Sequence, residues 1–199
     1  MEDVYTTVSK NATAHYRDRG SKFLGYVFSV TSSDQANNCL QLVKEEHPSA
    51  THHCFAWRLG IKGEHYRAYD DGEPSGTAGR PIYDAIRSAG ITNVLVVVVR
   101  YFGGTQLGKP GLIQAYKETT IAVIAAAGTE QKAVTILANC KFDYEWMNVV
   151  MTELKKVEAK ILTMDSASQV EMKFELRLSL FETIQAALLE KTRQQIKFF

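Results

Sequence analysis

The chain has 199 residues, of which 45% are hydrophobic and 23% are charged, and its formal net charge is +1. These values match globular proteins and exclude a disordered or fibrous chain. So small a net charge gives no general attraction to nucleic acid or membranes, so any anion site must be local. No apolar run approaches the roughly 18 to 20 residues that cross a bilayer, which excludes a membrane span. The polar amino-terminal segment does not resemble a secretory signal and predicts a cytoplasmic location.

The three cysteines, Cys39, Cys54 and Cys140, are widely spaced and include no C-x-x-C pair. This spacing favours buried free thiols over a disulfide framework or a tetrahedral zinc site. We therefore expect no metal-binding knuckle and no cofactor.

Residues 1–130 predict an α/β domain. Ser21 to Val30 has a strand pattern, and Ser32 with Gln35 forms a capping-box pattern that begins a helix ending near Pro48. Further along, Val94–Val99 is a continuous β-branched run typical of a strand buried on both faces. A helix from Gly111 to Ala127 follows it.

The runs His52–Leu59 and Glu64–Asp70 predict a β-hairpin, because a glycine-containing segment separates them. If the hairpin turns about Ile61 and Lys62, Phe55 pairs with Ala68. That register places Phe55, Trp57 and Tyr66 on one sheet face. An open aromatic face can stack nucleic-acid bases, although core packing explains the same residues.

Residues 131–199 predict a second domain, with the boundary near 128–133. The order of elements is β-α-β-β-α-β. This order folds as a ferredoxin-like sandwich, in which two helices cover one face of a four-stranded antiparallel sheet. The predicted fold class is therefore α+β in two domains.

The segment from Asp70 to Pro81 is rich in carboxylates, glycines and prolines, so it is a shaped loop that leads into a helix. Asp70, Asp71 and Glu73 could hold a hard cation through their oxygens. The amides at the helix start could instead bind phosphate. A third interpretation is a turn in which the Asp side chains bond their own backbone.

The segment from Gly103 to Lys109 follows a strand, precedes a helix and resembles a phosphate-binding P-loop. The next residue is Pro110, which has neither a hydroxyl for magnesium nor an amide for phosphate. We therefore reject a nucleotide hydrolase. A plain turn and a simpler anion nest both remain open.

We predict an anion or nucleic-acid site between the helix start after Thr77 and the turn after Arg100. Helix amides and arginines both bind phosphate. The alternative is that Arg100 pairs with Asp70 or Asp71 and only holds the loop together. The predicted site consists of Gly76, Thr77, Gly79, Arg80, Arg100, Gly103, Gly104 and Lys109.

Several separated segments, taken together, resemble the signature of the IMPACT/YigZ family (UPF0029). They are Gly20 to Phe23, His52-His53-Cys54-Phe55-Ala56, Asp70 to Gly79, Arg100-Tyr101-Phe102-Gly103-Gly104, Leu107-Gly108 and Gly111-Leu112. The resemblance is to two-domain bacterial members, without the RWD domain of the eukaryotic proteins. It implies a first domain like domain IV of elongation factor G, a second like domain V, and no established reaction.

Two functions are compatible with these patterns. The resemblance implies a regulator of translation that binds RNA or the ribosome, with a translation-associated protein as a further partner. The alternative is a metal-assisted phosphoester hydrolase that uses Asp70, Asp71 and Glu73 with His52 or His53. The two differ in whether these carboxylates and imidazoles converge in one pocket.

Overall fold

A computed structural model describes residues 3–166 and 169–199. The chain divides into two compact units, one formed by residues 5–132 and the other by residues 133–199 together with the segment before Tyr5. The class is mixed α and β. None of the helices in the described ranges has the length and apolar character needed to cross a membrane.

The first unit is built on a five-stranded antiparallel sheet of order β2-β3-β6-β4-β5. Its strands are β2 (Ala12–Asp18), β3 (Ser21–Ser29), β4 (His52–Leu59), β5 (His65–Tyr69) and β6 (Val94–Tyr101). Its helices are α1 (Ser33–Glu46), α2 (Gly79–Ser88) and α3 (Gly108–Ala127). Strands β1 (Val4–Val8) and β7 (Thr129–Ala133) form a separate two-stranded sheet.

The central strand β6 is buried on both faces because helices cover both sides of the sheet. Val94, Val96 and Val98 pack in the core below α2 and α3, while Leu95, Val97 and Val99 pack in the core below α1. Full burial of each such side chain stabilises the fold by about 1.5–3 kcal/mol. The continuous apolar run predicted this double burial.

Helix α1 begins as the sequence indicates. The hydroxyl of Ser32 accepts from the amide of Gln35 at 3.2 Å, and the Gln35 side chain reaches back to the amide of Thr31 at 2.9 Å. These contacts satisfy two amides of the helix start.

The β4–β5 hairpin differs from the predicted register by one residue. Phe55 lies opposite Tyr69, and Ala56 lies opposite Ala68. The loop spans the five residues 60–64 and is centred on Lys62, so the pairing moves by one residue from a turn about Ile61 and Lys62. Within this loop the Glu64 carboxylate accepts from the amide of Lys62 at 3.0 Å. Because side chains alternate between faces, the shift places Tyr66 on the face opposite Phe55.

The second unit has the predicted β-α-β-β-α-β order. Its elements are β8 (Thr135–Phe142), α4 (Met147–Lys156), β9 (Lys160–Ser166), β10 (Val170–Arg177), α5 (Leu178–Lys191) and β11 (Lys197–Phe198). The sheet order is β11-β8-β10-β9, with antiparallel pairs. Phe142, Met172 and Phe174 lie at its core.

Asp3 and Val4 belong with this second unit, whereas the predicted division at residues 130 and 131 places them in the first domain. The carbonyl of Asp3 accepts from the amide of Val134 at 2.8 Å, and its carboxylate accepts from the Ser179 hydroxyl at 2.7 Å. These contacts join residues far apart in the sequence, which a linear pattern does not reveal.

Candidate nucleic-acid interface

A buried ion pair joins the acidic loop to the central strand. Arg100 is 5% exposed, and its Nη1 donates to Glu73 Oε1 at 2.7 Å. The hydroxyl of Tyr116, on α3, donates to the same oxygen at 2.7 Å. The sequence predicted, as an alternative, that Arg100 pairs with Asp70 or Asp71 of this loop. Arg100 does pair with a carboxylate of the loop, but that carboxylate is Glu73. Arg100 is therefore not free to bind an external phosphate.

His52 and Cys54 extend this cluster from β4. His52 Nδ1 donates to the carbonyl of Asp71 at 2.7 Å, and its Nε2 lies 3.9 Å from Glu73 Oε1. The Cys54 thiol donates to the carbonyl of Asp70 at 2.9 Å. Burial raises the pKa of Cys54 well above its usual range, so this thiol stays protonated and is no nucleophile.

Asp70 occupies the phosphate site that the sequence predicts at the start of α2. Its carboxylate accepts from the amides of Gly76 at 2.9 Å, Ala78 at 3.0 Å and Gly79 at 2.8 Å. The amide of Thr77 donates to the carbonyl of Pro74 instead. The chain thus supplies its own anion to the amides at the start of α2, which agrees with the interpretation of this loop as a self-bonded turn.

The three candidate metal ligands point to different partners. Asp70 binds the loop amides, Asp71 Oδ2 accepts from the amide of His53 at 2.7 Å, and Glu73 pairs with Arg100. Within residues 3–166 and 169–199, no group of three or more His, Cys, Asp or Glu side chains could hold a metal ion. The arrangement therefore does not support the metal-assisted hydrolase.

The other residues that were predicted to bind an anion do not form one site. Arg80 pairs with Asp84 at 2.8 Å. Gly103 packs so closely against Gly20 that any side chain would overlap the Gly20 backbone. Its amide donates to the Ser21 hydroxyl at 3.2 Å. Five members of the set are exposed, namely Gly76, Arg80, Gly103, Gly104 and Lys109. Of these, Gly76, Arg80 and Gly103 already have partners within the chain.

The predicted stacking face is not available. Phe55 is 4% exposed and packs below α1, while Tyr66 stacks on Tyr83 of α2 with ring centroids 4.4 Å apart. Trp57 is half-buried at the edge of the core below α1. The one-residue register error grouped Tyr66 with Phe55, and burial removes Phe55 itself.

A different basic and aromatic surface lies on the α1 side of the sheet. A cleft of about 490 Å³ is open there, and we call it the β2–β3 cleft. It is lined by His15, Arg17, Gly20, Lys22, Leu24, His47, Tyr101 and Phe102. None of these lining residues is acidic.

Two cations of the cleft lie opposite each other on the β2–β3 hairpin. Arg17 on β2 lies directly opposite Lys22 on β3, and both are exposed. No ion pair of the described chain involves either side chain. Like charges directly opposite on a sheet repel, so a bound anion would relieve a cost already present in the fold.

Phe102 provides an aromatic platform at the cleft. The buried guanidinium of Arg100 lies 5.5 Å from the centroid of this ring, and the ring is 48% exposed. Arg100 itself is held by Glu73 and also contacts the Phe23 ring at 5.6 Å. The ring is thus fixed from inside by a cation–π contact while much of its surface remains open.

Two tyrosines fix the histidine of the cleft wall. Tyr26 donates its hydroxyl proton to Glu46 Oε1 at 3.0 Å, so His47 Nε2 donates to the Tyr26 oxygen. His47 Nδ1 then accepts from the Tyr101 hydroxyl at 3.0 Å. Burial and the neighbouring Glu46 raise the pKa of Tyr26 to about 12. Both ring nitrogens are occupied, so His47 shapes the cleft and does not act as a free base.

Sequence reasoning missed Arg17, Lys22 and His47 as site residues, and it used Phe102 only as part of a family signature. A signal was available for the cations. His15 and Arg17 alternate on β2, and Lys22 follows after a tight turn at Arg19 and Gly20, both with positive φ. That pattern places three basic side chains on one sheet face.

The fold and this surface define a two-unit α+β protein with a basic, aromatic cleft on its first sheet. The family model described as the Impact N-terminal domain matches residues 19–124. The chain therefore belongs to the IMPACT family. The cluster of His52, Cys54, Glu73 and Arg100 lies within the matched range.

Full-length relatives agree with this assignment. IMPACT family member YvyE of Bacillus subtilis is 30% identical over 84% of this chain and 77% of its own length. IMPACT family member YigZ of Escherichia coli is 28% identical over 89% of this chain and 88% of its own length. A crystal structure described as a hypothetical protein superposes with a TM-score of 0.78 at 25% identity, covering 100% of this chain and 98% of that one.

Proposed function

We propose that this protein binds RNA through the β2–β3 cleft and acts in translation, on the ribosome or on RNA in the cytoplasm. One observation carries the proposal: the half-exposed Phe102 ring, which contacts the Arg100 guanidinium, lines the same cleft as the exposed cations Arg17 and Lys22. A flat aromatic ring stacks a base, and flanking cations contact the phosphates on either side of it.

Local charge supports this proposal better than whole-molecule charge does. The net charge of +1 cannot attract nucleic acid by itself. The cleft instead concentrates its cations on one hairpin, with a ring that any base can stack on. This combination favours single-stranded, unpaired nucleotides over a closed duplex, whose bases are already stacked.

The family resemblance supports the translational part of the proposal. It implies units like domains IV and V of elongation factor G, and a protein partner associated with translation. The β-α-β-β-α-β order of the second unit is compatible with such a domain. RNA on the ribosome is accordingly the ligand that we propose.

Fluorescence anisotropy with a short unstructured RNA tests the proposal. Reversing both charges in Arg17→Glu with Lys22→Glu should weaken binding by at least about ten-fold and flatten the salt dependence by roughly one to two counterions. Because both side chains are exposed, the thermal midpoint should barely change. Lys155→Glu with Lys160→Glu, in the second unit, is the matched control and should leave affinity nearly unchanged. No measurable affinity in the unmodified protein, or equal losses in the two double variants, would contradict the proposal.

A further inference from the structure

A second cleft of the first unit lies between α2 and α3, on the sheet face opposite the β2–β3 cleft. It is an open groove of about 700 Å³, and its lining is mostly apolar. We call it the α2–α3 groove. Its lining includes Arg80, Asp84, Ile113, Lys117 and Ile121. RNA binding through the β2–β3 cleft uses none of these residues.

One wall of the groove is a stripe along α3. Ile113, Lys117 and Ile121 follow each other at intervals of four residues, so they lie above one another on one helix face. Ile113 is 41% exposed and Ile121 is 45% exposed. Large apolar side chains that line an open groove mark a surface for a partner.

The opposite wall includes small side chains beside Arg80 and Asp84. Ala85, Ser88 and Ala89 line the groove from α2 and the segment after it, and Ala125 lines it from α3. Small residues let another backbone approach closely. The stripe from Ile113 to Ala125 is about 18 Å long at 1.5 Å per residue, which is the length of about three helical turns.

The charges of the groove are complementary to an acidic partner. Asp84 is already shared by Arg80 at 2.8 Å and Arg87 at 3.5 Å. Lys117 lies between the two isoleucines, and no ion pair of the described residues involves it. The groove therefore carries an excess of positive charge and one lysine without a carboxylate.

We infer that the α2–α3 groove is a docking site for an amphipathic helix of a protein partner. That helix places apolar side chains against Ile113 and Ile121 and an acidic side chain between them against Lys117. A helix presents residues at the same four-residue spacing as the stripe, which an extended peptide does not. Its apolar face fills the groove, and its carboxylate supplies the counter-charge that Lys117 lacks.

Selection from a displayed library of helical peptides against the full chain tests this inference. The selected peptides should share an apolar stripe interrupted by Glu or Asp. Ile121→Lys and Lys117→Glu should each weaken their binding by at least about ten-fold. Leu42→Lys, on the exposed face of α1, is the matched control for a new lysine and should bind normally. Each substituted side chain is exposed, so folding should be retained.

A charge swap makes the test specific. Replacing the acidic residue of a selected peptide by Lys should abolish binding to the unmodified chain and restore binding to Lys117→Glu. RNA affinity should stay the same in all of these variants, so failure here is distinguishable from failure of RNA binding. Three results would overturn the inference: peptides that bind independently of Ile121 and Lys117, binding of dodecanoate but of no peptide, or a dimer of this chain that Ile121→Lys dissociates.

Discussion

Arg100 on β6 and Glu73 in the loop before α2 form a buried ion pair with 2.7 Å between Nη1 and Oε1. This pair has two structural consequences. It ties the acidic loop to the central strand, and it holds the guanidinium against the ring of Phe102. The pair lies within the residues that match the family model, and it supports an exposed aromatic ring.

Removing one partner of this pair should destabilise the protein strongly. Glu73→Ala leaves the Arg100 charge buried without a counter-charge, and we expect a loss of about 3–5 kcal/mol in the free energy of unfolding. Urea denaturation measures this loss. In the double variant Glu73→Gln with Arg100→Met, the loss should be smaller than in Glu73→Ala, because no buried charge remains.

The exposed pair of Arg80 and Asp84 is the natural comparison. Its members are largely exposed, so Arg80→Ala should leave the urea midpoint almost unchanged. If Glu73→Ala were as mild as Arg80→Ala, the buried pair would not hold the loop.

Removing the internal anion should convert the loop into an anion site. Asp70→Ala frees the amides of Gly76, Ala78 and Gly79, and we expect a loss of about 2–3 kcal/mol of stability. Sulfate should then raise the thermal midpoint of Asp70→Ala more than that of the unmodified chain, because it replaces the missing carboxylate. Sodium chloride at equal ionic strength should not do so.

Asp71→Ala is the control for that experiment. Asp71 accepts from the amide of His53 on β4 and not from the loop amides. Its variant should therefore show no specific response to sulfate. An equal response of both variants would mean that sulfate acts on the whole protein and not on the loop amides that Asp70→Ala frees.

Phe102 should contribute to RNA binding through its ring and not through its bulk. Phe102→Leu should reduce the affinity for single-stranded RNA by about 1–3 kcal/mol, whereas Phe102→Trp should retain it. Tyr66→Leu is a matched control, since Tyr66 is 54% exposed but stacks on Tyr83. Equal effects of the leucine substitutions at both positions would argue against a stacking role specific to Phe102.

Acid pH should destabilise the first unit through His53. Burial lowers the pKa of His53 below its ordinary value of 6.5, and its Nε2 donates to the carbonyl of His47. Below that ordinary value the unfolded chain takes up the proton more readily than the folded chain does. Stability is therefore full above pH 6.5 and falls as the pH drops toward the lowered pKa of the folded state.

The test compares urea midpoints between about pH 7.5 and pH 5.5. His53→Gln keeps a donor for the His47 carbonyl but cannot titrate, so its stability should fall less over this range. His15→Gln, at an exposed position on β2, should follow the unmodified chain. Parallel curves for the unmodified chain and His53→Gln would exclude His53 as the cause.

Local patterns predicted much of the fold. The β-branched run Val94–Val99 identified the central strand, and Ser32 with Gln35 identified the start of α1. The β-α-β-β-α-β order identified the second unit. These features are readable because burial, capping and alternation act between residues close in the sequence.

The candidate site was harder to predict, because its partners come from distant segments. Glu73 and Arg100 lie 27 residues apart and are separated by α2. Asp70 accepts from the amides of Gly76, Ala78 and Gly79. The alternative predicted from the sequence paired Arg100 with Asp70 or Asp71 and did not include Glu73, which is the partner in the structure. The three-dimensional arrangement determines which carboxylate pairs with Arg100.

The sequence by itself determined most of the strands and helices, although not β1, β2 or β7, and that the segment from Asp70 to Pro81 is a shaped loop. Only the tertiary structure decided which aromatic ring is open. A one-residue change in the β4–β5 register moves Tyr66 to the opposite face, and the order of strands β2, β3 and β6 brings Arg17, Lys22 and Phe102 to one cleft. Strand order and register are set by contacts across the sheet, so they are properties of the whole fold and not of any local segment.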